Sequence, residues 1–240
     1  MSSPRALPPF ELEPLGESAL MLRFGERIDA EANACVHAAA AALRAAALPG
    51  VHDVVPAYAS LALHYDPLAW REGARAPWRR VADAVRGALG TASAVPLGTP
   101  RAIDVPVCYG GAHGPDLDAL ATTLGLDVAD LVARHAGGDY RVAMIGFAPG
   151  FPYLLGLDAS LHAPRRAHPR TRVPRGSVAI GGAQTGIYPS ELPGGWQLIG
   201  RTPLVLFDPE REPACLFSPG DAVRFHAITP AAFDAIEAAR

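Results

Sequence analysis

The sequence has 240 residues, of which half are hydrophobic and 19% are charged, and its formal net charge is −3. A chain of this length can bury a substantial core in one large or two small domains, and its weakly acidic balance argues against a generally basic nucleic-acid-binding protein. All 21 of its Lys and Arg residues are arginine, which excludes mechanisms that need a Schiff-base lysine, a lysine general base or a P-loop lysine from this chain.

The first part of the chain predicts a small α+β domain. Alternating and alanine-rich patterns indicate one or two strands, a helix, a strand pair and a second helix. These elements fall at residues 10–25, 29–48, 51–67 (broken near Pro56) and 78–90. Two helices on one face of a small sheet is the natural packing for a domain over residues 1–95. The small-residue segment "TASAVPLGTPR" (91–101) then predicts a linker.

The second part predicts a β-rich domain over residues 100–228, with a short C-terminal tail to 240. A strand is expected at 102–110 and one or two short helices at 116–138. Ten glycines and eight prolines lie between residues 146 and 203. The β-prone pieces in and after this region are "VAMIGFA", "SVAIGG", "WQLIG", "PLVLF" and "DAVRFHA". Many short strands with glycine and proline turns indicate an all-β barrel or sandwich.

The segment "APRRAHPRTRVPRGS" (163–177) carries five arginines within eleven residues, separated by three prolines. Prolines at this spacing exclude a helix, so the arginines must be presented by an extended or turning backbone. Two interpretations remain open. The arginines either bind an anionic ligand, or they bind carbonyl and acidic groups of the barrel and hold a long loop in place.

Two glycine-rich motifs lie on either side of this segment. "GFAPGFPYLLGL" (146–157) is interpreted either as a pocket wall or as a hydrophobic turn that covers one end of the barrel. "IGGAQTGIYP" (180–189) lacks the spacing of a nucleotide-binding loop. It offers instead a run of backbone amides, or nest, beside Gln184, Thr185 and Tyr188, which could hold a carboxylate or another oxyanion.

Other familiar sites are missing from the sequence. The three cysteines lie far apart without zinc-ligand spacing, and the opening residues do not form a signal peptide. We therefore expect a soluble, cytoplasmic protein without a metal site of its own. No catalytic residue can be assigned, although His162 and His168 flank the arginines and could titrate near neutral pH.

One long stretch carries a family resemblance. It runs through "IGFAPGFPYLLGL", "PRRAHPR", "VPRGSVAIGGAQTGIYPSELPGGWQLIGRTPLVLFDP" and "PGDAVRF", and it extends upstream to "VPVCYGGAHGPDL" and "LGESALMLRFG". These motifs, which span nearly the whole chain, resemble the family of allophanate hydrolase subunit one and the KipI-type proteins. Within that family the sequence is most similar to its 5-oxoprolinase branch.

The resemblance implies a fold, an activity and partners. The fold is an α+β N-terminal domain followed by an all-β cyclophilin-like barrel. The activity is ATP-dependent opening of 5-oxo-L-proline to L-glutamate, performed in a heteromer with two partners of the 5-oxoprolinase, a barrel protein of the C type and a protein of the A type. The alternative in the same family is a KipI-type inhibitor that binds a sensor histidine kinase and blocks its autophosphorylation.

The implied cofactors are ATP and Mg²⁺, with the metal ligands expected from a partner protein. Arginine suits phosphate or carboxylate because its planar fork binds either group through two hydrogen bonds and remains charged. The candidate residues for binding 5-oxoproline or ATP are Phe151, Pro152, Arg165, Arg166, Arg170, Gln184, Thr185 and Tyr188.

Overall fold

The computed structural model describes residues 5–6, 8–26, 28–90, 93–94 and 101–239. The chain divides into two compact units, Met1–Thr99 and Pro100–Arg240. The predicted linker and the predicted domain limits at 95 and 100 lie almost wholly outside the described residues. Among the described helices, none combines the length and the apolar character that a membrane span requires.

The first unit is a four-stranded antiparallel sheet with two helices, in the strand order β2-β3-β5-β4. Its helices are α1 (Ala30–Ala46) and α2 (Pro77–Gly90), with a 3₁₀ turn at Pro67–Trp70. Its strands are β1 (Arg5–Ala6), β2 (Glu11–Pro14), β3 (Ala19–Arg23), β4 (Val51–Pro56), β5 (Ser60–Tyr65) and β6 (Ser93–Ala94). The short strands β1 and β6 pair with each other. The predicted elements of this unit are confirmed.

Capping and apolar spacing explain why these helices form. Asp29 begins α1, and its carboxylate accepts a hydrogen bond from Ala32 N at 2.8 Å, which satisfies one of the free amides of the first turn. Helix α2 buries Val81, Val85 and Leu89 along one stripe. This stripe packs with the inward-facing leucines of β3 and β5 in a core of its own.

The second unit is built on a closed seven-stranded barrel with the order β11-β12-β9-β8-β15-β7-β14. Its helices are α3 (Leu117–Leu124), α4 (Val128–Ala136) and α5 (Pro230–Ala238), with a 3₁₀ turn at Ala159–Leu161. Its strands are β7 (Ala102–Tyr109), β8 (Tyr140–Ile145), β9 (Pro152–Leu155), β10 (Arg170–Val173), β11 (Ser177–Gly181), β12 (Gln184–Ile187), β13 (Leu192–Gly194), β14 (Gln197–Arg201) and β15 (Ala222–Ala227). Strands β10 and β13 form a separate two-stranded sheet.

A parallel pair closes the barrel. Strand β15 lies parallel to β7, with Ala222 opposite Ala102, and antiparallel to β8. The apolar side chains that point inward from these strands form one continuous core with residues of α3 and α4. The predicted class, an α+β domain followed by a β-barrel, is confirmed, and the sandwich alternative is wrong.

Two segments of this unit differ from the sequence analysis. "PLVLF" (203–207) does not form a strand; only Phe207 makes an isolated bridge, with Cys215. The guanidinium of Arg211 donates hydrogen bonds to Val205 O and Leu206 O, and Leu216 N donates to Leu206 O at 2.7 Å. A side chain therefore takes part in bonds that a continuous strand ladder would supply. The segment described above as a short tail forms α5, which buries Phe233 and packs against β7.

Candidate functional site

An aromatic pocket opens on the barrel unit beside the arginine-rich segment. Its volume is about 120 Å³, well below the roughly 300–1,000 Å³ of sites that hold drug-sized ligands. The pocket therefore suits a ligand the size of one small ring. It is lined by Phe147, Phe151, Tyr153, Arg165, Tyr188, Pro193, Gly194, Gly195 and Trp196.

The aromatic side chains of the pocket hold one another in place around Phe151. The ring centroid of Phe151 lies 5.2 Å from that of Tyr188 and 5.7 Å from that of Trp196, and each pair meets edge to face. This arrangement is favourable because the positive edge of one ring faces the negative face of the other. All three rings are almost fully buried, so the pocket walls are part of a packed core.

Glycines allow these rings to lie directly against the strands. A Cβ atom on Gly181 would come within 2.6 Å of the Trp196 ring, and one on Gly194 would come within 2.2 Å of the Tyr188 hydroxyl. Side chains do not pack at such distances, so any other residue at either position would displace a wall of the pocket. Ring packing therefore explains why glycine is required at these two positions.

The predicted nest in "IGGAQTGIYP" is not formed. Strands β11 and β12 make a hairpin through this segment, with Ile180 opposite Thr185, and β12 pairs on its other side with β9. The amide of Gly182 at the turn donates to Ala163 O at 2.7 Å. Strand pairing thus uses the backbone that an anion-binding nest would need.

At the mouth of the pocket Phe147 has an unusual backbone. Its φ is 68°, which is rare for a residue other than glycine, and Ala148 N donates to Gly146 O across it at 2.8 Å. Such a tight three-residue turn is strained. The Phe147 ring is 61% exposed and lies 5.5 Å from the Phe151 ring. The turn therefore holds the Phe147 ring at the pocket rim in a backbone conformation that phenylalanine rarely adopts.

Five of the predicted site residues lie on or near the β11–β12 hairpin and β9, and only two of the five line the pocket. Phe151 and Tyr188 line the pocket. Thr185 is fully buried inside the barrel, and Pro152 is buried in β9. Gln184 is partly buried at the hairpin turn and is not among the pocket-lining residues.

Of the three predicted arginines, two bind a carboxylate. Arg170 donates to both oxygens of Asp116 at 2.7 and 2.8 Å, and Arg166 Nη1 donates to Asp116 Oδ1 at 2.9 Å. Neither arginine lines the pocket. The interpretation that the arginines hold a loop in place therefore describes Arg166 and Arg170.

Asp116 is a buried charge that sequence reasoning missed. Burial alone would raise the pKa of its carboxyl group, but the hydrogen bonds from Arg170 and from Leu198 N, together with the charges of Arg170 and Arg166, hold the pKa below its usual range. The surplus positive charge of residues 163–177 is the signal that could have pointed to it, since that surplus calls for a carboxylate from another part of the chain.

Backbone contacts fix the same segment on the barrel. Arg166 N donates to Gly195 O at 2.7 Å, and Gln197 Nε2 donates to Pro164 O at 3.0 Å. These bonds lie on either side of Arg165 in the chain. They place its side chain beside the Trp196 ring, with Cζ 5.8 Å from the ring centroid.

Arg165 is the cation of the pocket. Its side chain is exposed, and it forms no ion pair with a carboxylate among the residues that the structure describes. Burial raises the pKa of the Tyr153 and Tyr188 hydroxyls, and the charge of Arg165 partly opposes that rise. Both phenols therefore remain protonated donors near neutral pH, beside a positive charge.

A second polar group lies inside the barrel. His135, which lies in the last turn of α4, is fully buried; its Nδ1 is 2.8 Å from the Tyr109 hydroxyl and its Nε2 is 3.0 Å from Thr185 Oγ1. Thr185 Oγ1 donates its one proton to Ala179 O at 3.0 Å. It must therefore accept from His135 Nε2–H, and Nδ1 must accept from Tyr109 O–H.

This chain of hydrogen bonds keeps the imidazole neutral. Burial lowers the pKa of His135 to about 3, because the charged form would lose its hydration. The only sequence signal for this residue is its helical spacing from the buried Leu131. The contacts explain why Thr185 is buried, and they give it a structural role.

The two histidines that flank the arginines in the sequence lie away from the pocket. His162 and His168 are exposed and do not line the pocket. Over the described ranges, no group of three or more His, Cys, Asp or Glu side chains could hold a metal ion.

Comparison with known proteins identifies a family and a close relative. The sequence model of the family described as "Carboxyltransferase domain, subdomain C and D" matches residues 10–217. A protein of Bacillus subtilis (strain 168), named as the B subunit of 5-oxoprolinase, is 42% identical over 224 residues, which cover 92% of this chain and 93% of that protein.

Solved structures share the fold. The crystal structure of TTHA0988 superimposes with a TM-score of 0.74 at 41% identity over 88% of this chain and 40% of the TTHA0988 chain. The urea amidolyase of K. lactis gives a TM-score of 0.76 at 18% identity over 95% of this chain and 15% of that enzyme. At that identity the likeness concerns the fold alone.

Proposed function

Because the chain belongs to the family of the carboxyltransferase domain, subdomain C and D, we propose that it is one component of an ATP-dependent 5-oxoprolinase. The family resemblance found in the sequence is confirmed by this match. The observation that carries the proposal is the near full-length similarity to the B. subtilis protein that is named as the B subunit of 5-oxoprolinase. The KipI-type inhibitor remains the alternative that experiment must exclude.

The chemistry of the reaction explains why such an enzyme needs ATP. A five-membered lactam is a stable amide, and water does not open it at a useful rate. Transfer of the γ-phosphoryl group to the carbonyl oxygen gives an imidate phosphate with a good leaving group. Water then adds to this carbon and the C–N bond breaks, which frees the amine and leaves an acyl phosphate on the opened chain. A second water hydrolyses the acyl phosphate, so one lactam, one ATP and two waters yield glutamate, ADP and phosphate.

The chain contributes only part of this chemistry. Phosphoryl transfer depends on cations and Mg²⁺ placed around the transferred group. The sequence contains no lysine, and the described residues hold no metal-binding cluster. The Mg²⁺ ligands and a phosphate-binding lysine then come from the C-type barrel protein or the A-type protein, which makes the active enzyme a heteromer.

The experiment compares the isolated chain with the assembled complex. Purified alone, the chain is expected to show negligible 5-oxoproline-dependent ATP hydrolysis. Co-expressed with the C-type and A-type proteins, it should copurify with the C-type barrel protein and support glutamate formation from 5-oxoproline and ATP.

Two results would count against the proposal. Full activity of the isolated chain would contradict its role as one component of several. A stable complex without oxoprolinase activity, together with binding to a sensor histidine kinase, would favour the inhibitor instead.

A further inference from the structure

Arg165 differs from the other arginines of residues 163–177 in having no acidic partner among the described residues. Arg166 and Arg170 bind Asp116. Arg172 lies 3.6 Å from Glu191, and Arg175 lies 3.6 Å from Glu237. One uncompensated guanidinium is therefore left, and it is the one that lines the aromatic pocket.

The shape of the pocket restricts what this guanidinium can bind. Its walls are the packed rings around Phe151, and its lining includes Gly194 and Gly195. Flat apolar walls favour a compact ring, and a cation in the lining favours an anionic substituent on that ring. The volume of about 120 Å³ leaves no room for a nucleotide.

We propose that this pocket binds the lactam substrate itself, a five-membered ring with a single carboxylate. The carboxylate binds the Arg165 guanidinium, and the ring lies against the aromatic walls near Trp196 and Tyr188. ATP binds elsewhere in the complex. This inference rests on the proposed function and assigns one substrate of that reaction to this chain.

The charge of the pocket supports a carboxylate over a triphosphate. A triphosphate requires several cations and a Mg²⁺ site, whereas the pocket offers one guanidinium. A carboxylate needs only the two parallel hydrogen bonds that one guanidinium provides. The buried, protonated Tyr188 hydroxyl beside it can donate one more bond.

The decisive test is the variant Arg165→Gln in the assembled complex. The expected result is a KM for 5-oxo-L-proline raised about tenfold to a hundredfold, the range for a lost charged hydrogen bond, with the KM for ATP unchanged. Arg172→Gln is the matched control, because Arg172 is 81% exposed and does not line the pocket. It should leave both KM values as they are.

A ligand comparison isolates the carboxylate contact. Binding of 5-oxo-L-proline and of 2-pyrrolidinone, the same ring without a carboxylate, is measured by titration calorimetry with the full chain. The wild-type chain should bind 5-oxo-L-proline about tenfold or more tightly than 2-pyrrolidinone. The variant Arg165→Gln should lose most of this difference without binding 2-pyrrolidinone more weakly. An unchanged preference would overturn the inference, as would a raised KM for ATP alone or an unchanged KM for 5-oxo-L-proline.

The two proposals fail in different ways. If the wild-type complex makes glutamate but Arg165→Gln behaves like wild type, the pocket assignment is wrong and the oxoprolinase function stands. If the chain binds 5-oxo-L-proline through Arg165 but no complex opens it, the binding site stands and the proposed enzyme function is wrong.

Discussion

Arg170 and Arg172 lie two positions apart on β10, but their surroundings differ. The Arg170 guanidinium makes two hydrogen bonds to buried Asp116 and is 25% exposed, whereas that of Arg172 is 81% exposed. We expect Arg170→Met to lower the free energy of unfolding by about 2 kcal/mol, the scale of hydrogen bonds to a charged group.

The matched control for this prediction is Arg172→Gln, which should change the free energy of unfolding by less than about 0.5 kcal/mol. Urea denaturation of the purified variants measures both values. Equal losses for the two variants would show that Asp116 does not hold β10 to the barrel.

A second prediction at the scale of single residues concerns His135 and the pH dependence of folding stability. Its pKa in the folded protein is lowered to about 3, so between about pH 6.5 and 3 the unfolded chain binds a proton there that the folded protein does not. Stability contributed by this residue is therefore present above about pH 6.5 and is lost as the pH falls, by up to about 1.4 kcal/mol per pH unit.

The variant His135→Gln should remove the contribution of His135 to the slope of the free energy of unfolding against pH. Its stability at neutral pH should be lower, because the contacts to Tyr109 and Thr185 are disturbed, but the decline between about pH 6.5 and 4.5 should be shallower than in wild type. Urea unfolding at a series of pH values measures the two slopes. Parallel curves for wild type and variant would contradict a neutral, buried imidazole.

At the scale of elements, the packing of aromatic rings against the β11–β12 hairpin explains why it contains Gly181. Gly181→Ala would bring a methyl group to 2.6 Å from the Trp196 ring, and overpacking of this kind costs roughly 1–3 kcal/mol. We expect that loss in urea denaturation, with a change in tryptophan fluorescence, since the ring must move.

Gly182 provides the control for this prediction. It has a φ of 67°, and a Cβ atom there would meet nothing within 4 Å. Asparagine tolerates this backbone conformation, so Gly182→Asn should cost less than Gly181→Ala and should leave the fluorescence unchanged. If both variants behave alike, backbone conformation and not ring contact sets the requirement for glycine.

Elements with strong local signals were predictable from the sequence. Helix α2 was found because Val81, Val85 and Leu89 recur at helical spacing, and the β4–β5 pair was found because turn residues interrupt a β-prone run. The prediction of a strand at "PLVLF" is wrong because β-propensity cannot show that the segment makes only one isolated bridge and that the Arg211 side chain binds two of its carbonyls.

The candidate site was only partly predictable, because its contacts join residues that are far apart in the chain. The sequence identified Phe151, Arg165 and Tyr188, which line the pocket. It could not show that Asp116 binds arginines fifty and more positions away, nor that the barrel closes around His135. Local patterns carry no information about which distant side chains meet.

For the whole molecule, the division into two units with separate cores predicts that the barrel unit folds alone. A chain of residues 101–239 should unfold in one cooperative transition. Trp196 is its single tryptophan, so fluorescence during guanidinium unfolding reports the pocket directly. A broad transition, or an exposed tryptophan in the absence of denaturant, would show that this unit is not an independent folding unit.

The parallel pairing of β7 with β15 also has a consequence for biosynthesis. Ala102 pairs with Ala222, so the strand that opens the barrel unit, which pairs on its other edge with β14, obtains its second neighbour only after nearly all of the unit has left the ribosome. Until then β7 and β8 each present an unpaired edge, and exposed edges invite association with other chains. Pairings between such distant residues also form slowly. The nascent chain is therefore most vulnerable to aggregation just before β15 emerges, and chaperone protection matters most during that interval.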